Sequence, residues 1–224
     1  MPQHRNKKIL VFVFLFLLIG THSNNSLRNF NFFQLNEIKV TGLSEKNNLI
    51  LMKKLDFIRS NNLFFIDKLK LNEIINSNKL VEKFTVFKKY PSTLNIKITK
   101  AQFLANIKKD NNNFLLGSNG KLIKSMETIE NKPFIFGKFN NKDFFELKEA
   151  IDKTNFNYSR IKNLFFFKSG RWDIETSTGL LIKLPKKDLI KSLKLVANFL
   201  EKNQQSNINK IDLRQYNQVI INGN

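Results

Sequence analysis

The sequence predicts an α+β chain: an N-terminal membrane helix, a small β-α-α-β-β module, then a strand-rich C-terminal domain with two helices. Three observations predict it. An unbroken apolar run, ILVFVFLFLLIG, fills residues 9–20 behind a basic tail. In residues 87–102, Leu94, Ile96 and Ile98 alternate with Asn95, Lys97 and Thr99 after a break at Pro91, which is the signature of a hairpin with one buried face. Beyond Phe103, short extended runs separated by Gly-, Asn- and Ser-rich turns replace helical spacing.

Composition bounds the chemistry. The 224 residues are 42% hydrophobic and include 23 Phe, enough for the cores of one or two domains. The absence of cysteine excludes disulfides, thiolate zinc sites and thiol catalysis. The net charge of +20 has two readings, attraction to nucleic acid or anionic lipid, or a composition drifted toward Lys, Asn, Ile and Phe. The lysines are spread along the chain and no nucleic-acid motif accompanies them.

The residues of an enzyme are sparse. His4 and His22 are the only histidines and both precede the folded region, which argues against a Ser-His-Asp site or a histidine metal site. There is no P-loop, Gly-x-Gly-x-x-Gly or Gly-x-Ser-x-Gly. Asp173 and Glu175, two apart on a strand, are the one acid–base candidate, and their simpler reading is a solvated strand face. No enzyme activity, cofactor or metal is therefore expected.

In chain order, residues 1–8 form a tail carrying Arg5, Lys7 and Lys8, and residues 9–23 a membrane segment. Twelve apolar residues rise only about 18 Å as helix, against about 30 Å of hydrocarbon. The run fits a signal anchor or the core of a cleaved signal peptide, with Thr21-His22-Ser23 as a weak cleavage site. Either way the basic tail stays in the cytoplasm and the rest is exported. Residues 24–34 read as a linker whose Phe30, Phe32 and Phe33 sit near the membrane surface.

Residues 35–101 form the first module. A strand at 35–41 points Ile38 and Val40 inward and ends at Gly42. A helix at 46–58 shares Leu51, Leu55 and Ile58 on one face, with Ser44 as its candidate cap. Asp67 caps a second helix carrying Leu71, Ile74 and Ile75 inward, and strands at 80–89 and 94–101 close the hairpin.

Residues 102–224 form the second domain. Strands are expected at 104–108, 114–116, 121–124, 133–137, 161–167, 171–176 and 180–184. Asn141 is the expected cap of a helix reaching about residue 154, and a second helix covers 186–204 with Leu189, Leu193, Val196 and Leu200 on one stripe. Trp172 is read as core. Asp212 and Arg214 share a strand face and can pair. The chain closes with extended segments at 208–214 and 219–221. Val219-Ile220-Ile221 carries no charge, so at a sheet edge it is open to strand addition; an interior or frayed strand is the plainer alternative.

Several stretches resemble a known family when taken in order. Ile38-Lys39-Val40-Thr41-Gly42, Asn62-Leu63-Phe64-Phe65-Ile66-Asp67 and Lys89-Tyr90-Pro91-Ser92-Thr93-Leu94-Asn95-Ile96 are similar to the POTRA domain of the FtsQ/DivIB bacterial division family. Asn113-Phe114-Leu115-Leu116-Gly117-Ser118-Asn119-Gly120-Lys121, Gly170-Arg171-Trp172-Asp173, Lys183-Leu184-Pro185 and Ile211-Asp212-Leu213-Arg214 are similar to that family's β domain. The chain departs from the family at the module junction, Lys100-Ala101-Gln102-Phe103, and in its short tail and apolar segment.

The resemblance implies a non-enzymatic scaffold of the divisome, single-pass in the inner membrane with its bulk in the periplasm, located at the septum. It implies FtsB and FtsL as partners, FtsB adding a strand at the last strands of the β domain. By position that surface is Arg214, Gln215, Tyr216, Asn217, Gln218, Val219, Ile220 and Ile221. Another exported POTRA-containing envelope assembly protein and a basic binder of nucleic acid or anionic surfaces stand as the alternatives.

Overall fold

The computed structural model describes residues 4–21, 33–59, 61–202, 208–215 and 218–223. The apolar N-terminal run is helical, α1 (His4–Thr21), and its residues from Ile9 to Leu17 are exposed. Its 18 residues include Arg5, Lys7 and Lys8. Among the described residues no helix is long and apolar enough to cross a membrane. The remaining architecture is mixed α+β. The chain divides into two compact units, residues 1–100 and 101–224.

In the first unit β1 (Glu37–Thr41) is followed by α2 (Glu45–Lys54), α3 (Lys68–Ser77), β2 (Val81–Lys89) and β3 (Thr93–Lys100). The sheet order is β1-β3-β2, with β1 parallel and β2 antiparallel to β3. Alternation in β1 buries Ile38 and Val40, and Leu94, Ile96 and Ile98 of β3 meet them. Leu51, Leu55 and Ile58 are fully buried as their spacing requires, but the α-helix ends at Lys54 and a 3-10 turn (Asp56–Ile58) completes that face.

The caps divide into one expected and two corrected. Asp67 does cap α3, accepting from the N–H groups of Leu69 and Lys70. Ser44 occupies the N-cap position of α2 without capping by its side chain. Its hydroxyl instead accepts from the Asn47 side chain, 2.8 Å away. In the second unit Asn140, not Asn141, caps α4 (Asn141–Asp152) in a reciprocal box with Asp143. Asn141 is taken up by a bond to the Gly120 carbonyl, 2.8 Å.

The second unit is built on one nine-stranded mixed sheet. Its strands are β4 (Phe103–Lys109), β5 (Asn112–Gly117), β6 (Leu122–Ser125), β7 (Phe134–Phe136), β8 (Ile161–Phe166), β9 (Trp172–Thr176), β10 (Leu181–Lys183), β11 (Ile208–Asp212) and β12 (Ile220–Gly223). The order across the sheet is β12-β11-β10-β9-β8-β7-β4-β5-β6. Helices α4 and α5 (Leu189–Lys202) supply Phe144, Leu147, Ile151, Leu193 and Val196 to the core against one face. Trp172 is buried there, its ring 4.7 Å from Phe166 and 5.9 Å from Phe139. The buried Asn106 amide holds the loop before β7. It donates to the Ile129 and Lys132 carbonyls, each 2.9 Å away, and accepts from the Ile129 N–H.

Candidate partner-binding edge

Register places one apolar residue from each strand in a single row across the helix-bearing face: Ile135, Leu164, Ile174, Ile182, Ile211 and Ile221. The first five are buried at 3% exposure or less. Ile221 continues the row on the outermost strand and is 39% exposed, because the sheet ends beside it. Val219, two residues earlier and on the same face, is 43% exposed.

These two side chains form the outer wall of a cleft of about 270 Å³. Ile211 forms its floor, and Leu195, Val196 and Phe199 of α5 form the opposite wall. The helical spacing puts Leu189, Leu193, Val196 and Leu200 on the core stripe of α5, and all four join the core. Leu195 and Phe199, four apart on the flank, lie outside that stripe, and their i, i+4 spacing is the signal that marks a second apolar face. A wider groove of about 790 Å³ lies between α4 and α5, lined largely by charged residues such as Glu149, Lys153, Lys191 and Lys194.

The opposite face of the same strands carries charge. Asp173 of β9, Lys183 of β10, Asp212 of β11 and Ile220 of β12 are successive cross-strand neighbours. Asp212 and Arg214 pair in a fork. Arg214 Nε donates to Oδ1 (2.8 Å) and Oδ2 (3.0 Å), Nη2 donates to Oδ2 (2.5 Å), and the Arg214 N–H donates to Oδ1 (3.1 Å). The side-chain bonds from Arg214 hold the Asp212 carboxyl below its ordinary pKa.

Asp173 departs from the expected solvated face, being only 3% exposed. Lys183 is its cross-strand neighbour, and Arg171 and Arg214 stand near it. Burial raises its pKa, against the opposing pull of Arg171, Lys183 and Arg214. Arg171 Nε stands 3.5 Å from Asp173 Oδ1, an ion-pair contact, yet neither atom has a hydrogen-bond partner among the described residues. Glu175, its proposed acid–base companion, instead accepts from the Asn163 side chain at 2.8 Å.

Of the residues picked out as a partner surface, Arg214 and Gln215 are exposed just after β11. Gln218, Val219, Ile220 and Ile221 are exposed on or beside β12, with Ile220 on the charged face at 45%. Tyr216 and Asn217 lie outside the described residues. The two edges of the sheet differ in charge. β6 carries Lys124 at the far edge, whereas β12 reads Ile-Ile-Asn-Gly with no charge.

Comparison with known proteins agrees with this architecture. The family model "POTRA domain, FtsQ-type" matches residues 33–100, and "Cell division protein FtsQ/DivIB, C-terminal" matches residues 105–214. The cell division protein FtsQ of Rickettsia bellii is 22% identical over 192 residues, covering 84% of this chain and 72% of that one. FtsQ of Rickettsia prowazekii is 26% identical over 197 residues, with the same coverage. A solved structure of the major extracytoplasmic domain of DivIB from Geobacillus stearothermophilus aligns with a TM-score of 0.35 at 13% identity, over 47% of this chain and 98% of that one. With both FtsQ-type models matching in order along its two units, the chain belongs to the FtsQ/DivIB family of cell division proteins, and its role lies in the divisome.

Proposed function

We propose that this chain is a non-enzymatic, membrane-anchored divisome scaffold that takes up a strand of FtsB, with FtsL, along the open edge of β12, and so links early and late septal assembly. The observation that carries the reading is the row of apolar residues that is buried across five strands and exposed at Ile221. An added strand satisfies the outward N–H and C=O groups of β12 and lengthens the hydrophobic row. Three or four new backbone hydrogen bonds contribute about 2–5 kcal/mol. Covering Val219 and Ile221 adds about 1 kcal/mol each from apolar burial.

The anchor in this reading is α1. Its exposed run from Ile9 to Leu17 is uninterrupted by a polar group, and Arg5, Lys7 and Lys8 precede it, the arrangement that keeps an N-terminus cytoplasmic. Local thinning of the bilayer accommodates a short apolar segment at modest cost. The folded units are then exported and work at the septum.

Co-purification tests the strand reading. The full chain is expected to retain FtsB, and a chain lacking residues 215–224 to lose it while keeping its circular dichroism. Equal FtsB capture by a folded, truncated chain would overturn the proposal.

A further inference from the structure

The first unit carries an exposed face that strand addition at β12 leaves unexplained. The chain enters this unit beside it: Gln34 pairs with Asn62, and the Leu35 N–H donates to the Asn61 carbonyl at 3.1 Å. That pairing sets the Phe33 ring edge-on to Phe64 (centroids 4.7 Å apart) and 6.1 Å from Tyr90, with Phe64 and Tyr90 at 5.1 Å. Phe64 and Tyr90 are each about half exposed, and the residues that follow add Phe65 at 76% and Leu69 at 82%. Such a cluster is costly to leave in water.

Two ammonium groups accompany it. Lys88 Nζ donates to the Phe64 carbonyl at 3.3 Å. Its pKa is lowered by burial and by the charge of Lys68. Among the described residues neither lysine has an ion-pair partner, and the nearby Asp67 carboxylate is engaged in capping α3. Residues 33–100 hold thirteen Lys and Arg against six Asp and Glu. Aromatic rings with lysines at their rim match the boundary of an anionic bilayer, where rings sit at headgroup depth and ammonium groups meet phosphate.

We infer that this aromatic and lysine face of the POTRA module docks on anionic phospholipid headgroups of the membrane that holds the chain. The inference rests on the membrane attachment proposed above. Only residues 22–32 separate α1 from Phe33, so the face cannot lie more than about 40 Å from the end of the anchor. A tether that short makes docking intramolecular, and a weak face then suffices. Each lysine near an anionic surface raises partition about fivefold.

The cysteine-free chain allows a direct test. Single cysteines at Phe65, at Leu69 and, as control, at exposed Lys83 are labelled with the polarity-sensitive fluorophore NBD. Each full-length protein is reconstituted in vesicles of phosphatidylcholine alone or mixed equally with phosphatidylglycerol. Flotation reports attachment; blue shift and quenching by brominated lipid report docking.

The expected result is flotation with both vesicles, with a shift at positions 65 and 69 but not 83, confined to the anionic vesicles. Lys68→Gln with Lys88→Gln should lower the docked-to-free ratio on the order of 25-fold. Flotation with labels that stay water-exposed in both vesicles would overturn docking alone and leave the face to a protein partner. An equal shift in neutral vesicles would overturn the anionic requirement. Failure to float would remove the anchor reading and docking with it.

Discussion

Gly42 ends β1 at φ +107°, and a Cβ built there would lie 1.8 Å from the carbonyl oxygen of Ile98. Gly179 also has positive φ (+86°), but nothing lies within 4 Å of its added Cβ. Gly42→Ala is therefore expected to cost more than about 2 kcal/mol through a backbone clash, and Gly179→Ala about 1–2 kcal/mol from left-handed strain alone. Denaturant unfolding of the two variants checks the order.

The two buried aspartates make opposite predictions with pH. Asp212 is held low by Arg214, so its stabilisation is present above the unfolded value of about 4 and lost as pH falls through the lower folded value. Asp173 is raised by burial, so the fold favours its protonated form. Its contribution is greatest below about pH 4 and is lost as pH rises through its folded value. At pH 7, Asp212→Asn should lower stability by about 1 kcal/mol, a modest value because Arg214 is 40% exposed. Asp173→Asn should raise the Tm. Acidification toward pH 4 should narrow the gap between wild type and Asp173→Asn, and further acidification should narrow that for Asp212→Asn. Melting curves across pH read both, and a lower Tm for Asp173→Asn at neutral pH would contradict the assignment.

At the scale of elements, β12 controls access to the cleft. Ile220→Lys changes an exposed side chain on the charged face and should leave stability within about 0.5 kcal/mol. A lysine on an edge disfavours pairing with a further strand, so FtsB affinity measured by titration should fall at least about tenfold. Unchanged affinity would place the contact elsewhere. Most elements were legible because their periods are unambiguous: Leu94, Ile96 and Ile98 face one way, and Leu51, Leu55 and Ile58 lie one helical turn apart. Asn140 and Asn141 compete for one cap; Asp143, three residues after Asn140, closes a reciprocal box that Phe144 cannot close for Asn141, a spacing signal present in the sequence, and Gly120 then takes up Asn141. Alternation told which face Asp173 occupies, but its burial depends on Arg171, Lys183 and Arg214 arriving from three different segments. The apolar edge was visible in Val219-Ile220-Ile221, whereas the cleft beside it required α5 to bring Leu195 and Phe199 across.

Over the whole molecule, the proposed reading assigns placement to the POTRA unit that follows an apolar helix and partner capture to the β unit with its open edge. An N-terminal fluorescent fusion is expected to gather at mid-cell in dividing cells, and Ile220→Lys to reach the membrane but recruit less FtsB. A uniform membrane outline for the unaltered chain would separate it from septal assembly.

If β12 receives a strand of FtsB, hydrogen–deuterium exchange of the full chain should slow in the peptide covering residues 218–223 when FtsB is bound, because the outward amides of β12 have no sheet partner among the described residues. Binding of FtsB with exchange there unchanged would contradict it.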